Sequence, residues 1–207
     1  DTLNTYNYFS TPIYTIEKPK WVTKIDKACD KYIKESYKRD KKGKKDFGHS
    51  YHSTPLIGDK NFKELQDYIG ATTHNLLNEW GCDLEQYKVY FTEFWVQEFS
   101  KRGGGHHDTH IHWDNHLSGF YFLKCSDKTS YPVFHDPRSA AMMTKLPMKN
   151  PTDVNYNTAS FHLTPKPGTL VFFPAYVPHQ FVVDDGSEPF RFIHFNLQAV
   201  RKIIVGE

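Results

Sequence analysis

Histidine is concentrated in one stretch of this chain. Of its 12 histidines, five stand between Gly105 and Leu117, in GGGHHDTHIHWDNHLSGFYFL. With Asp108 and Asp114 they place five His and two Asp within eleven residues, just ahead of an apolar run. Imidazole and carboxylate in such density suit a divalent metal ion. On a strand, side chains at i and i+2 share a face, so His110, His112 and Asp114 are expected to point the same way. Four residues of strand span roughly 13 Å. Ligand bonds are about 2 Å, and His and Asp side chains together reach about 10 Å. A straight strand therefore keeps His110 and Asp114 from sharing one ion. Two pairs stay open, His110 with His112 or His112 with Asp114. His106, His107 and His116 are read as loop residues or as partners outside the ligand set.

A third ligand should come from another strand. Downstream stands PKPGTLVFFPAYVPHQFVV, in which Gly168 opens a strand, Pro174 ends it, and His179 begins the next after a short turn. Two His and one carboxylate on one face leave half an octahedron open, the donor set of non-haem Fe(II) oxygenases. His112, Asp114 and His179 supply it, and they are the expected metal-binding and catalytic residues. Arg191 follows twelve residues after His179, in EPFRFIHFNL. An Arg pointing into an apolar barrel needs an anion, and guanidinium pairs with carboxylate through two parallel hydrogen bonds. A dicarboxylate with one end on the metal and the other on Arg191 would use both features.

These residues need a frame. From Lys88 onward, segments 88–100, 117–124, 158–163, 168–173, 179–184 and 189–198 are rich in Val, Phe and Tyr, separated by Gly, Pro, Asn and Asp. Many short strands at that spacing predict an antiparallel sandwich or barrel. The first 85 residues read as mostly helical support. Apolar residues recur at helical spacing from Trp21 to Ile33, and again from Phe62 to Leu77 up to a stop at Gly81. Tyr8 to Ile16 could form a short strand, and KRDKKGKK, residues 38–45, reads as a solvated basic loop. The expectation is one domain over residues 1–207, with a helical part in 1–85 and the catalytic barrel in 86–200. Residues 136–157 break the strand pattern and hold all three Met. A loop of that length suits a lid over a ligand.

Composition narrows the function. At 207 residues with 38% hydrophobic and 16% aromatic side chains, the chain can bury a core, which excludes wholesale disorder. A net charge of +2 argues against a dedicated nucleic-acid binder. No apolar run approaches the roughly 20 residues of a membrane span, and no signal core opens the sequence. Cys29, Cys82 and Cys125 form no CxxC pair, which fits a reducing cytoplasm.

The order HxD, a distant His, then an Arg about ten residues on resembles 2-oxoglutarate/Fe(II)-dependent dioxygenases on the double-stranded β-helix fold. The wording is most like small bacterial and phage 2-oxoglutarate oxygenases distantly similar to prolyl hydroxylases. It runs through Trp95, His110 and His112, Leu117-Ser118-Gly119, Asp136-Pro137-Arg138, Gly168 to Phe173-Pro174 with His179, and Arg191 with Phe195-Asn196. The likeness covers about residues 90–198. It implies a mainly β, jelly-roll, cupin-like barrel with flanking helices. It also implies Fe(II), 2-oxoglutarate as co-substrate, and O2. The implied activity is an oxidoreductase, a hydroxylase acting on a peptide side chain or small metabolite and releasing succinate and CO2. Prolyl hydroxylases often place a Tyr on the strand after the HxD to help hold 2-oxoglutarate. This chain has Phe122 there, which leaves Ser118 as the candidate to assist Arg191 in binding the co-substrate. The alternative is a cupin-like metal protein, or a metalloenzyme that does not use 2-oxoglutarate.

Overall fold

The computed structural model describes residues 2–40 and 45–203. The elements in chain order are β1 (Tyr14–Glu17), α1 (Val22–Asp40), β2 (Ser50–His52), α2 (Lys63–Glu79), β3 (Tyr87–Phe99), β4 (His107–His110), β5 (Leu117–Lys124), β6 (Pro132–His135), α3 (Ser139–Met143), β7 (Ser160–His162), β8 (Thr169–Pro174), β9 (His179–Phe181) and β10 (Arg191–Arg201).

Apolar spacing sets the two long helices. In α1 the buried residues are Ile25, Cys29, Ile33 and Ser36; in α2 they are Leu65, Ile69, Thr73, Leu76 and Leu77. Both sets follow the three-and-four rhythm of one helix face. Helix α2 stops where Gly81 takes φ +84°. The Gly81 N–H then reaches the Asn78 carbonyl, and the Cys82 N–H reaches that of Leu77. This pair of bonds satisfies the last carbonyls of the helix. The lysine-rich segment divides: Lys38 to Asp40 end α1, Lys45 follows as an exposed residue, and 41–44 lie outside the described residues.

The strands form two antiparallel sheets. Six lie in the order β1-β8-β5-β10-β3-β2 and four in the order β4-β9-β6-β7. Strand alternation gives the larger sheet two different faces. Phe94, Val96, Leu117, Tyr121, Leu170, Phe172, Ile193 and Phe195 pack in one core with α1 and α2. Phe99, Phe120, Phe122, Val171, Phe173 and Phe192 turn the other way, and with Phe134 and Phe181 of the smaller sheet they form the interior between the sheets. Fully burying each such ring contributes roughly 1.5–3 kcal/mol, so phenylalanine is the main adhesive between the sheets. At Gly119 a Cβ would collide with the Val171 carbonyl and the Phe195 ring, so only glycine lets β5 lie that close to its neighbours.

Among the described residues no strand of one sheet pairs with a strand of the other. The barrel expected from sequence is therefore a pair of facing sheets, open where β4 comes past β3 and β10. The stretch after Asp136 holds the short helix α3 and then turns. With the N-terminal segment it encloses a cavity of about 560 Å3, walled in part by Tyr6, Phe9, Phe134, Arg138 and Tyr156.

Candidate metal centre and adjoining cavity

The centre is built at the open rim. His110 closes β4 and stands opposite His179, the first residue of β9. After His110 the chain leaves the strand. The His112 N–H is caught by the Ala175 carbonyl at 3.0 Å, which returns its ring to the other two. One nitrogen from each of His110, His112 and His179 lies within 4.8 Å of the others, and His112 Nε2 is 3.2 Å from His179 Nε2.

The surroundings prepare these rings as ligands. His110 Nδ1 is 2.7 Å from the Asp108 carbonyl, and His179 Nδ1 is 3.0 Å from that of Val177. A carbonyl only accepts, so Nδ1 carries the proton in both, and each Nε2 presents its lone pair. His179 is 1% exposed, and burial pushes its pKa down to about 2. Burial likewise takes His112 down to about 3. Neutral imidazole is the form that binds metal.

His112 is oriented from the larger sheet. The Asn196 amide nitrogen lies 3.1 Å from His112 Nδ1 and donates to Glu93 Oε2 at 2.6 Å. The Ser118 hydroxyl donates to Asn196 Oδ1. Ser118 is fully buried and faces inward, as its strand parity predicts, but it acts on the metal rim through Asn196.

Two expected residues lie elsewhere. Asp114 sits in the turn after His112 with φ +65° and an exposed side chain. It is not brought to His112 and His179, because residues 111–116 are not strand and the i, i+2 rule ends at His110. His110 joins the pair instead. Arg191 is buried, but on the helical side of β10. Its Nε donates to Glu98 at 2.7 Å, and its Nη1 donates to Asp26 at 2.8 Å and Asp30 at 2.9 Å. It ties α1 to β3 and β10 and does not enter the interior.

Beside the three imidazoles is a cavity of about 200 Å3 lined by His52, Glu93, Trp95, His107, His110, His112, Phe120, Phe192 and His194. Burial pushes His107 and His194 down to about 3. His194 Nε2 has no hydrogen-bond partner among the described residues and lies 3.3 Å from Glu93 Oε2. Gln97 Nε2 abuts His107 Nε2 while Gln97 Oε1 is left unpaired. Turning that amide over lets Oε1 accept from His107. Sequence reasoning passed over Glu93, His194 and Asn196 as site residues. The available signal was alternation in RFIHFN, where Phe192, His194 and Asn196 share one face.

The family model described as "Putative 2OG-Fe(II) oxygenase" matches residues 93–196, half of the chain; 2OG is 2-oxoglutarate. The match begins at Glu93 and ends at Asn196, which hydrogen-bond each other. Among solved structures, the chain resembles AviO1 from Streptomyces viridochromogenes Tue57 at 8% identity and a TM-score of 0.61, covering 95% of this chain and 92% of that one. It resembles a Pseudomonas putida prolyl-4-hydroxylase at 11% identity and a TM-score of 0.58, covering 91% and 94%. A prolyl hydroxylase in complex with a hypoxia inducible factor peptide fragment, from Trichoplax adhaerens, aligns at 10% identity and a TM-score of 0.51, covering 89% and 82%. These likenesses show a shared fold. No curated protein sequence matches. With half of its length matched by one family model, the chain belongs to the 2OG-Fe(II) oxygenase family.

Proposed function

We propose that this chain is an Fe(II)- and 2-oxoglutarate-dependent hydroxylase, with the double-stranded β-helix fold, whose iron is held by His110, His112 and His179. The observation that carries this reading is the convergence of three imidazoles at one rim, two with tautomers fixed by backbone carbonyls. That donor set fits a divalent iron and leaves positions free for other ligands. Iron held there would, with 2-oxoglutarate and O2, supply the oxidation that ends in succinate, CO2 and a hydroxylated product.

The chain's own residues hold and shape the site. Asn196 fixes the His112 ring, with Ser118 and Glu93 behind it. Phe120, Phe134 and Phe173 surround His179, with ring centroids 5.7, 6.1 and 4.7 Å away, and keep water from that side. The helical residues 1–85 support the catalytic part, 86–200, within one domain. The prime substrate is a peptide side chain or a small metabolite. The peptide bound to the Trichoplax adhaerens protein supports the former. The stretch 139–157, beside the larger cavity, serves as the lid.

The far carboxylate of 2-oxoglutarate fits less well, since Arg191 faces the helices and, among the described residues lining the smaller cavity, none is Lys or Arg. That observation favours a second reading, a cupin-like metal protein that turns over no 2-oxo acid. One experiment separates them. Purified protein with Fe(II) and O2 should convert 2-oxoglutarate to succinate, and the conversion should cease on chelation. No succinate at full iron occupancy would favour the second reading.

A further inference from the structure

The smaller cavity is lined by two of the three converging imidazoles, His110 and His112, and its wall has an unusual composition for a dicarboxylate site. Three aromatic side chains, Trp95, Phe120 and Phe192, and the imidazoles of His52, His107 and His194 make up most of it. The one carboxylate on the wall is Glu93. A second carboxylate placed there would meet the half-exposed Glu93, with no cation among the described lining residues to offset it.

Arg191 has no route into that space. On β10 the residues Phe192, His194 and Asn196 face the interior, and Arg191 lies on the opposite side with Ile193 and Phe195. Its guanidinium holds Glu98, Asp26 and Asp30, and it is 4% exposed. Turning it inward would take the guanidinium from three carboxylates and leave the buried Glu98 with the Tyr37 hydroxyl in place of a cation.

We infer that this chain does not select its co-substrate by a far carboxylate, and that a 2-oxo acid with a short uncharged chain binds beside the three imidazoles at least as well as 2-oxoglutarate does. This rests on the functional reading above. The aromatic rings suit an alkyl chain, and the volume limits it to a small one. The reaction balances as before. The 2-oxo acid and O2 give CO2 and an acid one carbon shorter. One oxygen atom enters that acid, and the other replaces a substrate C–H with C–OH.

The test is anaerobic calorimetry on the Fe(II)-loaded full chain, titrated with 2-oxoglutarate and with 2-oxopentanoate, which carries a methyl group in place of the far carboxylate. 2-Oxopentanoate is expected to bind at least as tightly as 2-oxoglutarate. A charge-assisted hydrogen bond to the far carboxylate is worth roughly tenfold or more, so a preference of about tenfold or more for 2-oxoglutarate overturns the inference. Iron held at full occupancy with neither acid binding would instead overturn the functional reading itself.

Discussion

A histidine binds metal well only when its second nitrogen is held. His110 and His179 have backbone carbonyls for that purpose, whereas the Asn196 amide nitrogen beside His112 Nδ1 is a donor, so a His112 Nε2 that binds metal must give up that contact. Asn196→Ala should therefore bind metal at least as tightly as the wild type, while the circular dichroism of the fold stays unchanged. Competition with a chelator measures this, and weaker binding would show that Asn196 supports His112 as a ligand. Two of the three converging imidazoles, His112 and His179, were legible in the sequence because a dense His stretch and a strand-opening His carry their own signal. The third was not. Choosing between His110 and Asp114 required knowing that β4 ends at His110, and the HWDNH run holds neither Gly nor Pro to mark the turn. Arg191 was placed by its distance from His179 and not by alternation, which along β10 sets it on the face opposite Phe192, His194 and Asn196.

The long strands were readable because each is a run of Val, Phe and Tyr between breakers. The predicted segments 88–100, 117–124 and 168–173 nearly coincide with β3, β5 and β8. The short strands β2, β4 and β6 were not read. Four residues such as HDTH in β4 carry no apolar pattern and become strand only by pairing with β9. The helices announced their faces, but not that α1 is tied to the sheet by charge. Arg191 Nε meets Glu98, and both side chains are 5% exposed. Removing one partner of such a pair costs about 3–5 kcal/mol. Arg191→Leu should lower the stability measured by urea unfolding by about that amount, while the folded fraction keeps its 2-oxo acid affinity. A variant of unchanged stability that had lost 2-oxo acid binding would return Arg191 to the co-substrate.

At the scale of the molecule, the open rim collects neutral histidines. His107, His112 and His194 are pushed to about 3 and His179 to about 2, all by burial. The unfolded chain takes up protons near the ordinary value of about 6.5, and the folded chain does not until far lower. Stability is thus whole above about pH 6.5 and is lost as pH falls from there toward about 3. Each imidazole contributes a slope of up to roughly 1.4 kcal/mol per pH unit. Urea midpoints of the metal-free protein should fall steadily between about pH 7 and about pH 5. A flat profile contradicts neutral burial.

Those neutral rings meet where β4 and β9 of the smaller sheet come under Asn196 and Glu93 of the larger one, so the candidate metal centre lies where the two sheets come together. Metal content is the most direct test of that centre, measured on the wild type, His110→Ala and Asp114→Ala after equal exposure to Fe(II) without O2. A centre of three imidazoles predicts one iron per chain in the wild type and in Asp114→Ala, and loss of iron in His110→Ala. Iron retained by His110→Ala and lost from Asp114→Ala would contradict it, and would show that the carboxylate swings in from its exposed turn to complete the site.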